Sequence, residues 1–308
     1  VGFGTWKIPE NAAENAVLNA IKAGYGLIDC AAIYRNEKTV GKALHHALNV
    51  ESMVKRDEIF VTSKLWNTDH HPKDVKPAIQ RTLRDLQLKH LDLYLMHFPV
   101  AWPNRRKDDG DYPEDFNPDF KNYQEKVTVL ETWKAMEDLV DQGLTKGIGV
   151  SNFSTSLIWE LSKVAKKPIC VNQIEVHPYL PQNFLVDLCQ DKGIQVTGYS
   201  SLGSPSYENW AIYSKLPNLL ETEEITNIAK KHNKTPAQIV LAWSVNVRNI
   251  AVIPKTVHSD RLKENLDILS IQLQDDDIQT ISDFDRGILL NFTFLKSIFH
   301  IDLAFCVV

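Results

Sequence analysis

Residues 59–66 read IFVTSKLW and residues 91–98 read LDLYLMHF. Both are short, almost continuous apolar runs without the in–out alternation of a half-exposed strand. Runs of this kind suit a parallel sheet whose two faces are both covered. Each carries a polar residue near its end, Lys64 in the first and His97 in the second. A third run, GLIDCAAIY at 26–34, carries Asp29 and Tyr34 in the corresponding place.

Working outward, the same pattern marks strands at 1–6, 26–30, 59–65, 91–98, 145–151, 170–176, 195–200 and 250–254. Helical spacing of apolar residues marks 11–23, 36–48, 72–86, 125–141, 154–165, 181–190 and 236–246. Pro72 sits in a first turn, where its missing N–H costs nothing. Gly143 follows a helix end, and Thr235 is a cap for the helix it precedes. Eight strands alternating with helices predict an α/β fold, a (β/α)8 TIM barrel with long loops at the strand C-terminal face, as one domain over residues 1–308. A doubly wound sheet is the alternative. It is weakened because Gly2 and Gly4 begin a GxGxxG turn that nothing completes. Stretches 99–124 and 202–219 interrupt the rhythm after strand ends, which places them on the face where barrels carry their sites.

The chain has 308 residues, 44% hydrophobic and 24% charged, enough for a large core. A net charge of −5 argues against nucleic acid or an anionic membrane as partner, though not against an anionic cofactor held by a few local cations. The four cysteines form no CxxC, and His45-His46 and His70-His71 are adjacent pairs that diverge on a helix, so no metal site is expected. No signal-peptide pattern precedes the first strand, which fits a cytoplasmic protein. Residues 288–308, ILLNFTFLKSIFHIDLAFCVV, reach the length of a membrane span, but Lys296, His300 and Asp302 interrupt them.

Tyr34, Lys64, Asp29 and His97 together form a kit for reducing a carbonyl. A free tyrosine is too weak an acid at neutral pH, and a neighbouring ammonium is expected to lower its pKa. Lys64 would supply that charge, Asp29 would keep Lys64 charged, and His97 would orient the carbonyl oxygen. The carbonyl then needs a hydride, and a nicotinamide is the donor left once metal, flavin and Schiff-base signatures are set aside. Ser151, Asn152 and Gln173 end two strands where they could bond its amide, and Tyr199 could stack on its ring. Ser200, Leu202 and Ser204 stand where a pyrophosphate could be reached. Lys255, Thr256 and Arg261 suit a 2′-phosphate, with Glu264 and Asn265 left for adenine.

The stretches GFGTWKIP, LIDCAAIYRNEKTVGKAL, FVTSKLWN, LDLYLMHFP, GIGVSNFS, NQIEVHPYLPQ, GYSSLGSP and IPKTVHSDRLKENL run in order from the start to about residue 285. In them the chain resembles the aldo-keto reductases, near the aldose, aldehyde and xylose reductase branch. The resemblance implies a monomeric barrel that uses NADPH/NADP to reduce small-molecule aldehydes or ketones. It carries the acid to Tyr34, its partners to Asp29 and Lys64, the carbonyl orienter to His97, and the cofactor contacts to the residues just named. It adds Trp6, Trp66, Phe98 and Trp102 as pocket walls. Four departures stand out. The hairpin that usually precedes GFGTW is not within the numbering. Gly26 replaces a frequent Arg. Phe98 stands where aldose reductases often have Trp, which resembles the xylose reductases and favours a sugar aldehyde. The tail after Arg286 matches poorly.

Two other readings compete. One is a reductase fold kept as a structural or regulatory protein, crystallin-like or cofactor-sensing. The other is a barrel hydrolase using carboxylates such as Asp29 and Glu175.

Overall fold

The computed structural model describes residues 1–104, 126–203 and 216–289. Its eight parallel strands are β1 (Phe3–Gly4), β2 (Leu27–Asp29), β3 (Phe60–Leu65), β4 (Leu91–Met96), β5 (Thr145–Ser151), β6 (Ile169–Glu175), β7 (Gln195–Tyr199) and β8 (Ala251–Val252). They lie side by side in sequence order. Two backbone bonds close the ring: Gly2 N donates to Val252 O at 2.7 Å and Gly4 N to Pro254 O at 3.2 Å. A Cβ on Gly4 would fall 2.5 Å from the Ile253 carbonyl oxygen, so only glycine lets the two backbones approach this closely. Sequential order with closure is the (β/α)8 barrel. A doubly wound sheet would require a reversal of strand order.

The helices are α1 (Glu10–Ala23), α2 (Glu37–His45), α3 (Pro72–Asp85), α4 (Val129–Asp141), α5 (Thr155–Val164), α6 (Asn183–Asp191), α7 (Glu223–His232), α8 (Pro236–Ala242), α9 (Ser259–Leu266) and α10 (Asp275–Ser282). Helix α4 starts later than the apolar spacing suggests because Thr128 forms a capping box with Glu131. Thr235 caps α8 in the same way through Gln238. Helices α2 and α8 each end in one wider turn, 46–50 and 243–247, which together recover the expected ranges. Strands β1 and β8 are shorter than expected, and Pro254 has no N–H with which to prolong the second.

Helices α7, α9 and α10 were not expected individually. The last two bury only Leu262 with Asn265, and Asp277 with Ile281, too narrow a stripe to give a clear period. Most of both long loops, and nearly all of 288–308, lie outside the described residues. Among the described residues no helix is long and apolar enough to cross a membrane.

Both faces of the sheet are largely buried. Ile28, Val61, Leu65, Leu95 and Val150 are fully buried, and Trp133 and Trp243 fill the layer under the helices. Carboxylates sit in that layer too: Glu137 accepts from Trp133 Nε1 at 2.9 Å, and Glu37 lies between α2 and β3. Glu37, 5% exposed, accepts hydrogen bonds from Ser63 Oγ at 2.5 Å and Thr82 Oγ1 at 3.0 Å, tying α2 to β3 and α3. Burial pushes its pKa up to about 7, against the pull of these two hydroxyls. A carboxyl with a raised folded-state pKa favours folding fully below its unfolded value and loses that contribution as pH rises through the folded one. The chain is therefore expected to lose stability between about pH 4.5 and 7. Glu37→Gln should flatten that slope and gain up to about 3 kcal/mol at pH 8, at ~1.36 kcal/mol per pKa unit. Urea denaturation at a series of pH values measures it.

Candidate active site

Lys64 occupies the inner face of β3 with no solvent exposure, and a lone ammonium there would discharge. It does not stand alone. Its Nζ donates to Asp29 Oδ2 at 2.7 Å, to the Cys30 carbonyl at 2.7 Å and to Tyr34 Oη at 3.2 Å. Three N–H bonds meet three acceptors, so the ammonium is saturated. Burial works against its charge, but Asp29 and then Tyr34 outweigh that, and Lys64 is held above the usual lysine range.

Asp29 ends β2, where its second oxygen accepts from Gln173 Nε2 at 2.8 Å. Its backbone carbonyl is held by Thr5, through N at 3.1 Å and Oγ1 at 2.8 Å. Tyr34 ends a single tight turn, 32–34, and Arg35 follows with a left-handed φ of 59°. Asn36, buried, returns its Nδ2 to the Thr5 carbonyl at 2.9 Å. The turn that aims Tyr34 is thus pinned to the ends of β1 and β2.

The Tyr34 oxygen accepts from Lys64, which leaves its own O–H free to point elsewhere. Its pKa corrects the expectation drawn from the sequence. Burial pushes the phenol up to about 12; Lys64 pulls it down and Asp29 pushes it back. The ion pair cancels much of the charge that was meant to acidify the phenol. Tyr34 is therefore protonated throughout the neutral range.

His97 lies one residue past β4, its N–H bonded to the Leu65 carbonyl at 3.0 Å. Its ring meets Tyr34 edge-on at 5.9 Å and Trp66 edge-on at 5.1 Å, and stacks on Phe98 at 5.1 Å. Burial, with repulsion from Lys64 and His70, keeps it well below the ordinary imidazole range, so it is neutral at pH 7. Trp66 also contacts Phe98 at 6.0 Å and Trp102 at 5.6 Å. Three of the four expected wall residues thus form one aromatic cluster around His97. Trp6 lies under Lys7 Nζ at 4.5 Å.

The expected amide contacts line the next arc of the barrel rim. Ser151 Oγ donates to the Gln173 carbonyl at 2.8 Å. Asn152, left-handed at φ 63°, donates to the His97 carbonyl at 2.9 Å and accepts from the Tyr199 hydroxyl at 2.7 Å. Ser200 and Leu202 follow β7, while Ser204 lies outside the described residues. Lys255 and Arg261 are exposed at the start of α9, and Thr256 is buried, with its Oγ1 accepting from His258 N at 3.1 Å. Lys255 is close enough to Lys7 to lower the Lys7 pKa, after burial. Cations crowded beside a helix start favour an anion there. Glu264 is half-buried, and Asn265 is buried against the Tyr25 hydroxyl.

The opposite end of the barrel holds a cleft of about 480 Å³, lined by Asp57, Phe60, Asp92, Lys146, Cys170 and Gln195. Its lining cation Lys146 is neutralised locally, 2.8 Å from Asp92, which also pairs with Arg56 at 2.8 Å. The carboxylates of the hydrolase reading have other partners too: Glu175 is fully buried 2.9 Å from His177 Nε2. Sequence reasoning missed the Cys30 carbonyl and the Thr5–Asn36 brace. A backbone oxygen leaves no mark in a sequence, whereas Thr5 and Asn36 do lie inside quoted motifs.

A family model described as "Aldo/keto reductase family" matches residues 1–286. The chain is 44% identical to "Aldo-keto reductase family 1 member A1-A" of Danio rerio over 287 residues, 93% of this chain and 86% of the relative. It is 45% identical to "NAD(P)H-dependent D-xylose reductase I,II" of Candida tropicalis over 298 residues, 94% and 90% of the two chains. Among solved structures, an aldo-keto reductase from Bombyx mori in complex with NADP superposes with a TM-score of 0.82 at 33% identity, covering 94% of this chain and 90% of the other.

Proposed function

Because this chain belongs to the aldo/keto reductase family, we propose that it is an NADPH-dependent reductase of aldehydes or ketones in which Tyr34 is the proton donor. Its relatives support the broader statement, a nicotinamide-dependent carbonyl oxidoreductase. The observation that carries the finer one is the saturated ammonium of Lys64, bonded at once to Asp29, Cys30 and Tyr34.

The chemistry follows from those contacts. The aromatic cluster of Trp66, Phe98 and Trp102 excludes water beside His97. Neutral His97 can donate one N–H to a carbonyl oxygen and hold it toward Tyr34. NADPH, when bound, supplies the hydride. As charge develops on the carbonyl oxygen, Tyr34 passes its proton to that oxygen, and the charge left on the phenol is met by Lys64. A pKa near 12 still suffices, since an alkoxide is about as basic as hydroxide, whose conjugate acid has a pKa of ~15.7. Asp29 keeps Lys64 charged, and Gln173 and Thr5 keep Asp29 in place. In reverse, the phenolate would take the proton of an alcohol.

The cofactor reading rests on the donor set. Ser151, Asn152 and Gln173 present amide and hydroxyl groups on one arc, with Tyr199 beside them. Ser200, Leu202 and Ser204 continue toward a pyrophosphate, and Glu264 and Asn265 flank the adenine side. Lys255, Thr256 and Arg261 offer two charges and a hydroxyl for a 2′-phosphate. Steady-state consumption of NADPH with a reactive aldehyde tests the whole reading, and its absence would favour the non-enzymatic alternative. Arg261→Ala is expected to raise the NADPH KM by roughly tenfold or more and to leave the NADH KM within about twofold, as befits loss of one charge-assisted contact. Equal losses for both cofactors would move the 2′-phosphate elsewhere. The small-molecule carbonyl substrate and a monomeric, cytosolic enzyme complete the proposal; size-exclusion chromatography checks the monomer.

A further inference from the structure

The loop after β6 is braced more heavily than a connection needs. His177 and Leu180 exchange both backbone hydrogen bonds, N to O at 3.3 Å and 2.8 Å, closing a turn over Pro178 and Tyr179. His177 is locked to the buried Glu175 carboxylate at 2.9 Å, and Gln182 Nε2 donates to the Glu175 carbonyl at 2.6 Å. On this rigid post Tyr179 is 3% exposed and reaches two other segments.

Its hydroxyl donates to the Pro217 carbonyl at 3.0 Å. Pro217 leads into Leu219, whose Cβ would stand 3.1 Å from a Cβ on Gly203, a residue with φ +73°. Gly203 N in turn bonds the Ser200 carbonyl at 2.9 Å. The two described ends of the β7–α7 connection are therefore packed together, and Tyr179 fastens them next to Ser200 and Leu202. On its other side, the Tyr179 carbonyl accepts from Arg286 N at 3.1 Å and Ile288 N at 3.3 Å, and its ring meets Phe284 edge-on at 5.7 Å. One residue thus joins the segment that flanks the proposed pyrophosphate contacts to the segment that follows α10.

We infer that Tyr179 is a positioning residue that couples the chain after α10 to cofactor binding at Ser200 and Leu202. The inference rests on the reductase reading above. The backbone of the turn is fixed, but the Tyr179 ring is held between Phe284 on one side and Pro217 on the other, so a change of packing on one side is expected to shift the ring on the other. A residue that only supported the fold would change the melting temperature and leave affinity for the cofactor alone.

The test is titration of the full chain with NADPH, followed by tryptophan fluorescence, with thermal melts in parallel. Tyr179→Phe keeps the ring contact and the backbone bonds and removes the Pro217 link alone. It is expected to raise the NADPH Kd by about threefold to tenfold, the scale of one neutral hydrogen bond. Phe284→Leu removes the edge-on ring contact from the other segment and is expected to raise the same Kd, though Phe284 is not among the proposed cofactor contacts. The double variant should lie close to the weaker single one, because both act through one post. A lowered melting temperature with unchanged Kd in both singles overturns the inference, as do effects that multiply in the double variant. Failure of the parent chain to bind NADPH would sink the reductase reading as well; tight parental binding with indifferent variants would sink only the coupling.

Discussion

Tyr34→Phe is expected to bind NADPH as the parent does and to lose roughly 10²–10⁴-fold in kcat, the range that a placed general acid contributes. The ring keeps its edge contact with His97, and the structural cost is small, because Lys64 retains Asp29 and the Cys30 carbonyl. The pH profile of the parent carries the finer signature. With the phenol near 12, reduction should show no falling limb at the ordinary tyrosine pKa of about 10. Alcohol oxidation needs the phenolate and should keep rising with pH across the same range. Single-turnover kinetics on the variant and pH–rate profiles of the parent in both directions measure these effects. Parental turnover in Tyr34→Phe would falsify the acid assignment.

Lys64→Met should fail in two separable ways. The cation is fully buried, and removing it leaves the Asp29 carboxylate, 2% exposed, with no counter-charge. Breaking one side of a buried pair costs about 3–5 kcal/mol, a large part of a typical domain's stability. Activity should fall by at least about 10²-fold as well, since nothing then meets the charge left on the phenol. Adding Asp29→Asn removes the stranded charge, and the double variant should recover most of the stability but none of the activity. Denaturant melts beside steady-state rates separate the two effects. Recovery of turnover together with stability would show that Lys64 serves the fold alone.

Much of this was legible in the residues. Strands β3 and β4 were the most readable because burial on both faces leaves nearly continuous apolar runs. Lys64 and His97 stood out because each falls near the end of its run, on the face where a barrel carries its site. The seam was less legible: β1 and β8 are two residues long, and their partner is the far end of the chain. The sign of the Tyr34 shift was not legible at all. It depends on how burial competes with a neighbouring charge that is itself neutralised by Asp29, and no sequence states that balance. Glu37 reads as an ordinary acidic residue opening a helix, and only the fold places Ser63 and Thr82 against it. Tyr179 reads as one more aromatic residue in a motif, because its partners lie at Pro217 and beyond α10.

The closing seam has a consequence for how the molecule is made. Gly2 and Gly4 find their partners only when Val252 and Pro254 have left the ribosome. Until then the first strand is an open sheet edge on a nascent chain, able to pair with any other unsatisfied strand. Contacts this distant in sequence form slowly, so misassembly competes hardest with completion until that seam closes. A chaperone that holds the growing amino-terminal half would protect the yield of this protein more than its finished stability suggests.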